Sequence, residues 1–149
     1  MPLFVKKLDP RATVPTCAHP GEDLAYDLYA LEDIRIGGPA TKVRTGIAMQ
    51  HDRQYECLTR LGFLLRDRSS MAAKGVFVTG GVIDAGYTGE IIVLMSTILT
   101  SYQIKAGDKI VQAVPFPVLT AEIGPITLVE GGQELIGTRG DKGFGSSGR

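Results

Sequence analysis

No tryptophan occurs in the chain, and histidine and cysteine occur twice each. His19 and His51 are the only imidazoles, too few to favour a His/Cys zinc site. Cys17 and Cys57 form no motif. They allow one disulfide or two free thiols, and free thiols in a reducing cytoplasm are the expectation. Net charge is missing too, because 16 basic residues balance 16 acidic ones. That removes the basic footprint of a nucleic-acid partner. No apolar run approaches the length of a membrane span. The opening MPLFVKKLDP has too short an apolar stretch for a signal peptide. These absences point to a cytoplasmic protein that engages neither membrane nor nucleic acid.

Helical periodicity is the next absence, and alternation takes its place. TKVRTGIAM sets Val43, Thr45, Ile47 and Met49 against mostly polar neighbours, the pattern of a half-buried strand. YECLTRLGFLL is a second strand region, with Gly62 a candidate bulge. GVFVTGGVI and EIIVLMSTIL read as a third and a fourth. DKIVQAVPFPVL reads as a fifth, ended by Pro115 and Pro117. Turn signals such as IGGP, AGYTG and KAGDK separate these runs. The single helix candidate is RSSMAAKG, with Ser69 or Ser70 as N-cap and Gly75 just past its end. With 149 residues and 44% hydrophobic content, one core of ordinary size can form. The fold class expected is all-β, a jelly-roll-like sandwich with one short helix. It spans residues 1–137, and residues 138–149 follow as a glycine-rich arm.

Several segments carry more than structure. At the helix start, Arg68, Ser69 and Ser70 combine a cation, two hydroxyls and unpaired backbone N–H groups, a setting for anionic oxygens. Capping by Ser69 beside a solvated Arg68 explains the same residues. In GGVIDAGYTGE, Asp84 follows an apolar run and precedes a glycine-rich turn bearing Tyr87. A strand-end aspartate can orient and deprotonate water, and an aromatic beside it can pack on a sugar or base. Alternatively, Asp84 caps the turn and Tyr87 covers the edge of the core. Asp27 stands alone among Tyr26, Leu28 and Tyr29. Gln112 lies inside an apolar strand, where its amide needs partners in backbone or ligand. In the arm, GFGSSG matches a dinucleotide fingerprint but lacks the strand and helix that give the fingerprint meaning.

Taken in order, these segments resemble the five motifs of the trimeric dUTP pyrophosphatases (dUTPases). AYDLYA is similar to the first, RSSMAAKG to the second, GGVIDAGYTGE to the third, GDKIVQAV to the fourth and RGDKGFGSSG to the fifth. The resemblance runs from Pro15 onward. It implies a homotrimer with active sites between subunits. The implied reaction is hydrolysis of dUTP to dUMP and pyrophosphate, with Mg²⁺ on the triphosphate. Asp84 would direct water to the α-phosphorus, and Tyr87 would pack on deoxyribose and leave no room for a 2′-hydroxyl. The backbone from Gly81 through Val82 and Ile83 to Tyr87 would read uracil. Arg68, Ser69, Ser70 and Gln112 would hold phosphate oxygens, and Asp27 would support the metal through water. Arg139, Phe144, Gly145, Ser146 and Ser147 would come from the arm as it folds over the nucleotide.

Some positions depart from the family pattern. Ala25 stands where glycine is usual, Asp67 where proline is common, and Lys142 where glycine is common. The stretch from Gln50 to Leu65 is longer than is typical. Two rival readings share the fold. A dCTP deaminase, alone or bifunctional, would place tryptophan at Tyr87 and a glutamate in the next strand. IIVLMSTIL has no acid, and the chain has no tryptophan. A non-catalytic nucleotide-binding protein is the other rival, and intact Asp84, Tyr87 and Phe144 argue against it.

Overall fold

The computed structural model describes residues 3–51 and 60–118. Strands dominate it: β1 (Leu3–Lys7), β2 (Tyr26–Tyr29), β3 (Ile34–Ile36), β4 (Thr41–Arg44), β5 (Ile47–His51) and β6 (Arg60–Asp67). The one short helix, α1 (Ser69–Ala72), follows. After it come β7 (Val76–Thr79), β8 (Val82–Ile83), β9 (Ile92–Thr97), β10 (Tyr102–Ile104) and β11 (Lys109–Val118). The all-β sandwich is therefore as expected.

The strands form antiparallel sheets of order β1-β5, β10-β3, β2-β11-β6-β8 and β4-β9-β7. Their inner faces meet in one core that includes Leu28, Ile36, Ile47, Val93, Met95 and Val111. Among the described residues, no helix is long and apolar enough to cross a membrane.

Several boundaries differ from expectation, each for a physical reason. TKVRTGIAM is two strands in two sheets. Gly46 breaks it at φ +69°, where an added Cβ would also lie 2.9 Å from Ala12 and Leu31. Val43, Thr45, Ile47 and Met49 are all buried, but Gly46 and Ala48 are buried as well, so burial stops alternating at the break. GVFVTGGVI likewise splits, β7 joining β9 and β8 joining β6. Pro115 and Pro117 do not end β11, which runs to Val118. Past Ala113 it pairs with β6 alone, and the missing proline N–H is tolerated beside an open edge.

Gly62 is not a bulge, because β6 and β11 stay in register through it. The irregularity falls instead between Lys109 and Val111, against β2. Neither Ser69 nor Ser70 caps α1. Arg68 occupies the N-cap position with extended backbone, and no side chain bonds to the helix start. Gly75 does follow the helix in left-handed conformation, at φ +75°.

Candidate active site

β2, α1 and β11 converge on Asp27. It is 8% exposed, and a buried carboxylate needs charged or hydrogen-bonded partners. Arg68 Nε donates to Asp27 Oδ1 at 2.9 Å, and Lys109 Nζ donates to Oδ2 at 2.8 Å. Arg68 Nη1 also donates to the Lys109 carbonyl at 3.3 Å and lies 3.4 Å from Ser70 Oγ. The hydrogen bond to Asp27 pushes the Lys109 ammonium above its ordinary pKa. Gln112 sits opposite Asp27 on one side of β11 and opposite Arg66 on the other. Ser69 and Ser70 are exposed beside this group.

Two cations share one carboxylate here, so the cluster keeps one net positive charge. With exposed hydroxyls alongside, it suits the oxygens of a polyphosphate. Asp67 does not spoil it. Its Oδ1 accepts from Val78 N at 2.6 Å, which ties β6 to β7.

A second group forms around the β8 turn. Val82, Ile83, Asp84, Tyr87, Glu90 and Ile92 line a cavity of about 190 Å³. The Asp84 carbonyl accepts from Tyr87 N at 3.0 Å, closing the turn through backbone. Among the described residues, no hydrogen bond or ion pair reaches the exposed Asp84 carboxylate. Its acceptor capacity is therefore open to water or ligand. Tyr87 is 45% exposed and lies over the turn rather than in the core, and its Oη donates to the Glu90 carbonyl at 2.9 Å. The Gly81 carbonyl accepts from Leu65 N at 2.7 Å and is committed to the sheet.

Lys109 and Glu90 are residues that sequence reasoning did not single out. Lys109 stands three positions before Gln112 in the fourth motif, and Glu90 closes the third. Their charge was visible, but their partners were not.

The register of β6 separates the two groups. Ile83 pairs with Phe63, so Asp84 lies by Gly62. Arg68 follows the far end of the same strand. The intervening strand, about six residues at roughly 3.3 Å each, spans about 20 Å. One chain thus gathers Asp27, Arg68, Ser70 and Lys109 at one end and Asp84 and Tyr87 at the other, with Gln112 opposite Arg66 and Val82 opposite Leu64 between them. Arg139, Phe144, Gly145, Ser146 and Ser147 lie outside the described residues, as does Cys57; Cys17 is a free thiol.

The dUTPase family model matches residues 11–148. A deoxyuridine 5'-triphosphate nucleotidohydrolase of Solibacter usitatus is 34% identical over 160 residues, covering 100% of this chain and 97% of that protein. One from Clostridium novyi is 36% identical over 154 residues, covering 99% of each. Among solved structures, the Staphylococcus bacteriophage 80alpha dUTPase with dUpNHpp matches with a TM-score of 0.77 and 26% identity over 99% of both chains. A mutant dUTPase from phage phi11 of S. aureus, described for its coordination of a structural Mg(II) ion, matches with a TM-score of 0.72 and 23% identity. That match covers 87% of this chain and 99% of the phage chain.

Proposed function

The chain belongs to the dUTPase family, and from that premise we propose how its residues carry out the reaction. The activity is that of a dUTP diphosphatase: dUTP and water give dUMP and pyrophosphate. Removing dUTP limits uracil in DNA, and the dUMP formed supplies thymidylate synthesis. Asp84 is the general base. It accepts a proton as the water oxygen bonds to the α-phosphorus and the bond to the pyrophosphate oxygen breaks. The observation that carries this role is the open Asp84 carboxylate at a cavity it shares with Tyr87.

Tyr87 packs on the deoxyribose. Uracil meets the backbone from Gly81 through Val82 and Ile83, using groups other than the committed Gly81 carbonyl. Arg68, Ser69, Ser70 and Gln112 hold phosphate oxygens, and Lys109 adds charge beside them. Both groups must reach one triphosphate, yet about 20 Å of strand parts them within a chain. That separation supports a site shared between subunits, the Asp84 end of one facing the Arg68 end of another in the homotrimer that the family resemblance implies. Arg139, Phe144, Gly145, Ser146 and Ser147 complete the site from the arm.

Mg²⁺ is the proposed cofactor. Among the described residues, no group of three His, Cys, Asp or Glu side chains could cage an ion, and both Asp27 oxygens already accept from cations. This donor set fits an ion that arrives on the polyphosphate, keeps its waters and meets Asp27 through one of them. Bound there, it would neutralise charge that develops on the phosphates. Cys17 as a free thiol suits the reducing cytoplasm, where we place the reaction.

The test is Asp84→Asn. A general base contributes about 10²–10⁴-fold, so kcat for pyrophosphate release from dUTP should fall by that factor while dUTP still binds. Turnover near wild type would refute the assignment. Against UTP, dCTP and dTTP, activity should stay confined to dUTP, and ammonia released from dCTP would mark a deaminase instead.

A further inference from the structure

We propose that Gly89, Glu90 and Arg44 are positioning residues for Tyr87, and that through it they set the preference for deoxyribose over ribose. This rests on the reading above that Tyr87 packs against the sugar. Tyr87 is nearly half exposed, so the core does not hold its ring. Two local features do. The phenol donates to the carbonyl of Glu90 at 2.9 Å, in the same turn. The ring also lies directly on Gly89, where an added Cβ would fall 2.6 Å from Oη, 2.7 Å from Cζ and 3.1 Å from Cε2. Only a residue without a Cβ lets the ring rest there.

The anchor is itself anchored. Arg44 Nε donates to both Glu90 carboxylate oxygens at 3.1 and 3.2 Å, and Gly46 N donates to Oε1 at 2.9 Å. Arg44 is the last residue of β4 and pairs with Ile92 of β9. Ile91 N donates to the Ile47 carbonyl at 2.8 Å, so the residue after Glu90 is tied to β5 as well. A continuous chain of contacts therefore runs from two sheets through Glu90 to the phenol. Rejecting a single added hydroxyl requires a wall that does not swing, and this chain keeps the ring in place.

The test compares kcat/KM for dUTP and UTP in four variants, with thermal melts alongside. Gly89 does not adopt the left-handed backbone, so Gly89→Ala adds only the clash with the ring tip, and the exposed ring moves rather than the sheet. The dUTP-to-UTP ratio should fall about tenfold or more in Gly89→Ala, Glu90→Ala and Tyr87→Ala. Glu90→Gln still accepts from Arg44 and Gly46 and should keep a ratio within about threefold of wild type.

A purely structural role would lower the melting temperature and both efficiencies together, leaving the ratio unchanged. Loss of discrimination in Tyr87→Ala with none in Gly89→Ala would overturn the positioning role while sparing the sugar contact. An unchanged ratio in Tyr87→Ala would overturn the sugar contact and the inference with it. If Glu90→Ala fails to fold, Gly89→Ala decides alone.

Discussion

Gly62→Ala should damage catalysis from inside the sheet. Gly62 lies in β6 at the point where the chain leaving β8 passes over it. A Cβ there would meet the Ile83 carbonyl oxygen at 2.6 Å and Ala85 N at 3.2 Å, both backbone atoms on either side of Asp84. The first contact is about 0.8 Å shorter than ordinary carbon contact allows. No flexible side chain can absorb the overlap, so β6 or the Asp84 segment must shift. β6 is held along its length by β11, with pairs from Asp67↔Val111 to Arg60↔Val118. β8 holds on by two pairs only, Phe63↔Ile83 and Leu64↔Val82. The segment that yields is therefore the one carrying Asp84.

Displacing a catalytic group by about 1 Å costs on the order of 10²-fold in rate, and overpacking of this kind costs about 1–3 kcal/mol in stability. Steady-state kinetics on dUTP and urea denaturation at fixed protein concentration measure the two effects. The expected result is a roughly 10²-fold lower kcat with modest destabilisation. Wild-type kcat with unchanged stability would show that the close approach does not place Asp84. Lost stability with full kcat would show that β6 absorbs the strain.

Two further outcomes are expected. Asp27 raises the pKa of Lys109 above 10.5, so their pairing stabilises the fold below that pH and the contribution is lost as pH rises through the higher folded value. The gap in urea midpoint between wild type and Lys109→Met should hold at neutral pH and close in strong alkali, and a gap that persists there would refute the pairing. Truncation after Gly137 should leave the assembly intact by light scattering. It should lower kcat/KM for dUTP by the several-fold to hundredfold that about 1–3 kcal/mol of stacking implies, and unchanged turnover would count against a closing arm.

How much of the fold the sequence showed depended on element length. Alternation over Thr41–Met49 was plain, yet it hid a change of sheet. Gly46 turns the chain, and beyond it Ala48 is buried along with Ile47 and Met49. β2, β3 and β10 are three or four residues long. Such runs are too short for a period of two to stand out. Prolines in β11 looked like a stop because a proline in a fully paired strand would be one. Only the tertiary fact that β2 ends early makes them harmless.

The site was legible as residue types and opaque as contacts. Asp27 was visible as a lone acid, but its partners lie 41 and 82 positions away, and no local pattern reports such pairs. The five motifs in order resembled one active site, and their order carried no information about which meet within a subunit. The register of β6 supplies that information. It joins the first, second and fourth motifs toward one end and runs the third from Gly81 beside Leu65 to Asp84 beside Gly62. On the proposed reading, a triphosphate touched by both groups lies between copies of the chain. On this argument, mixing Asp84→Asn subunits with Arg68→Ala subunits should restore part of the activity that each variant lacks alone, because some mixed sites would unite an intact Asp84 with an intact Arg68.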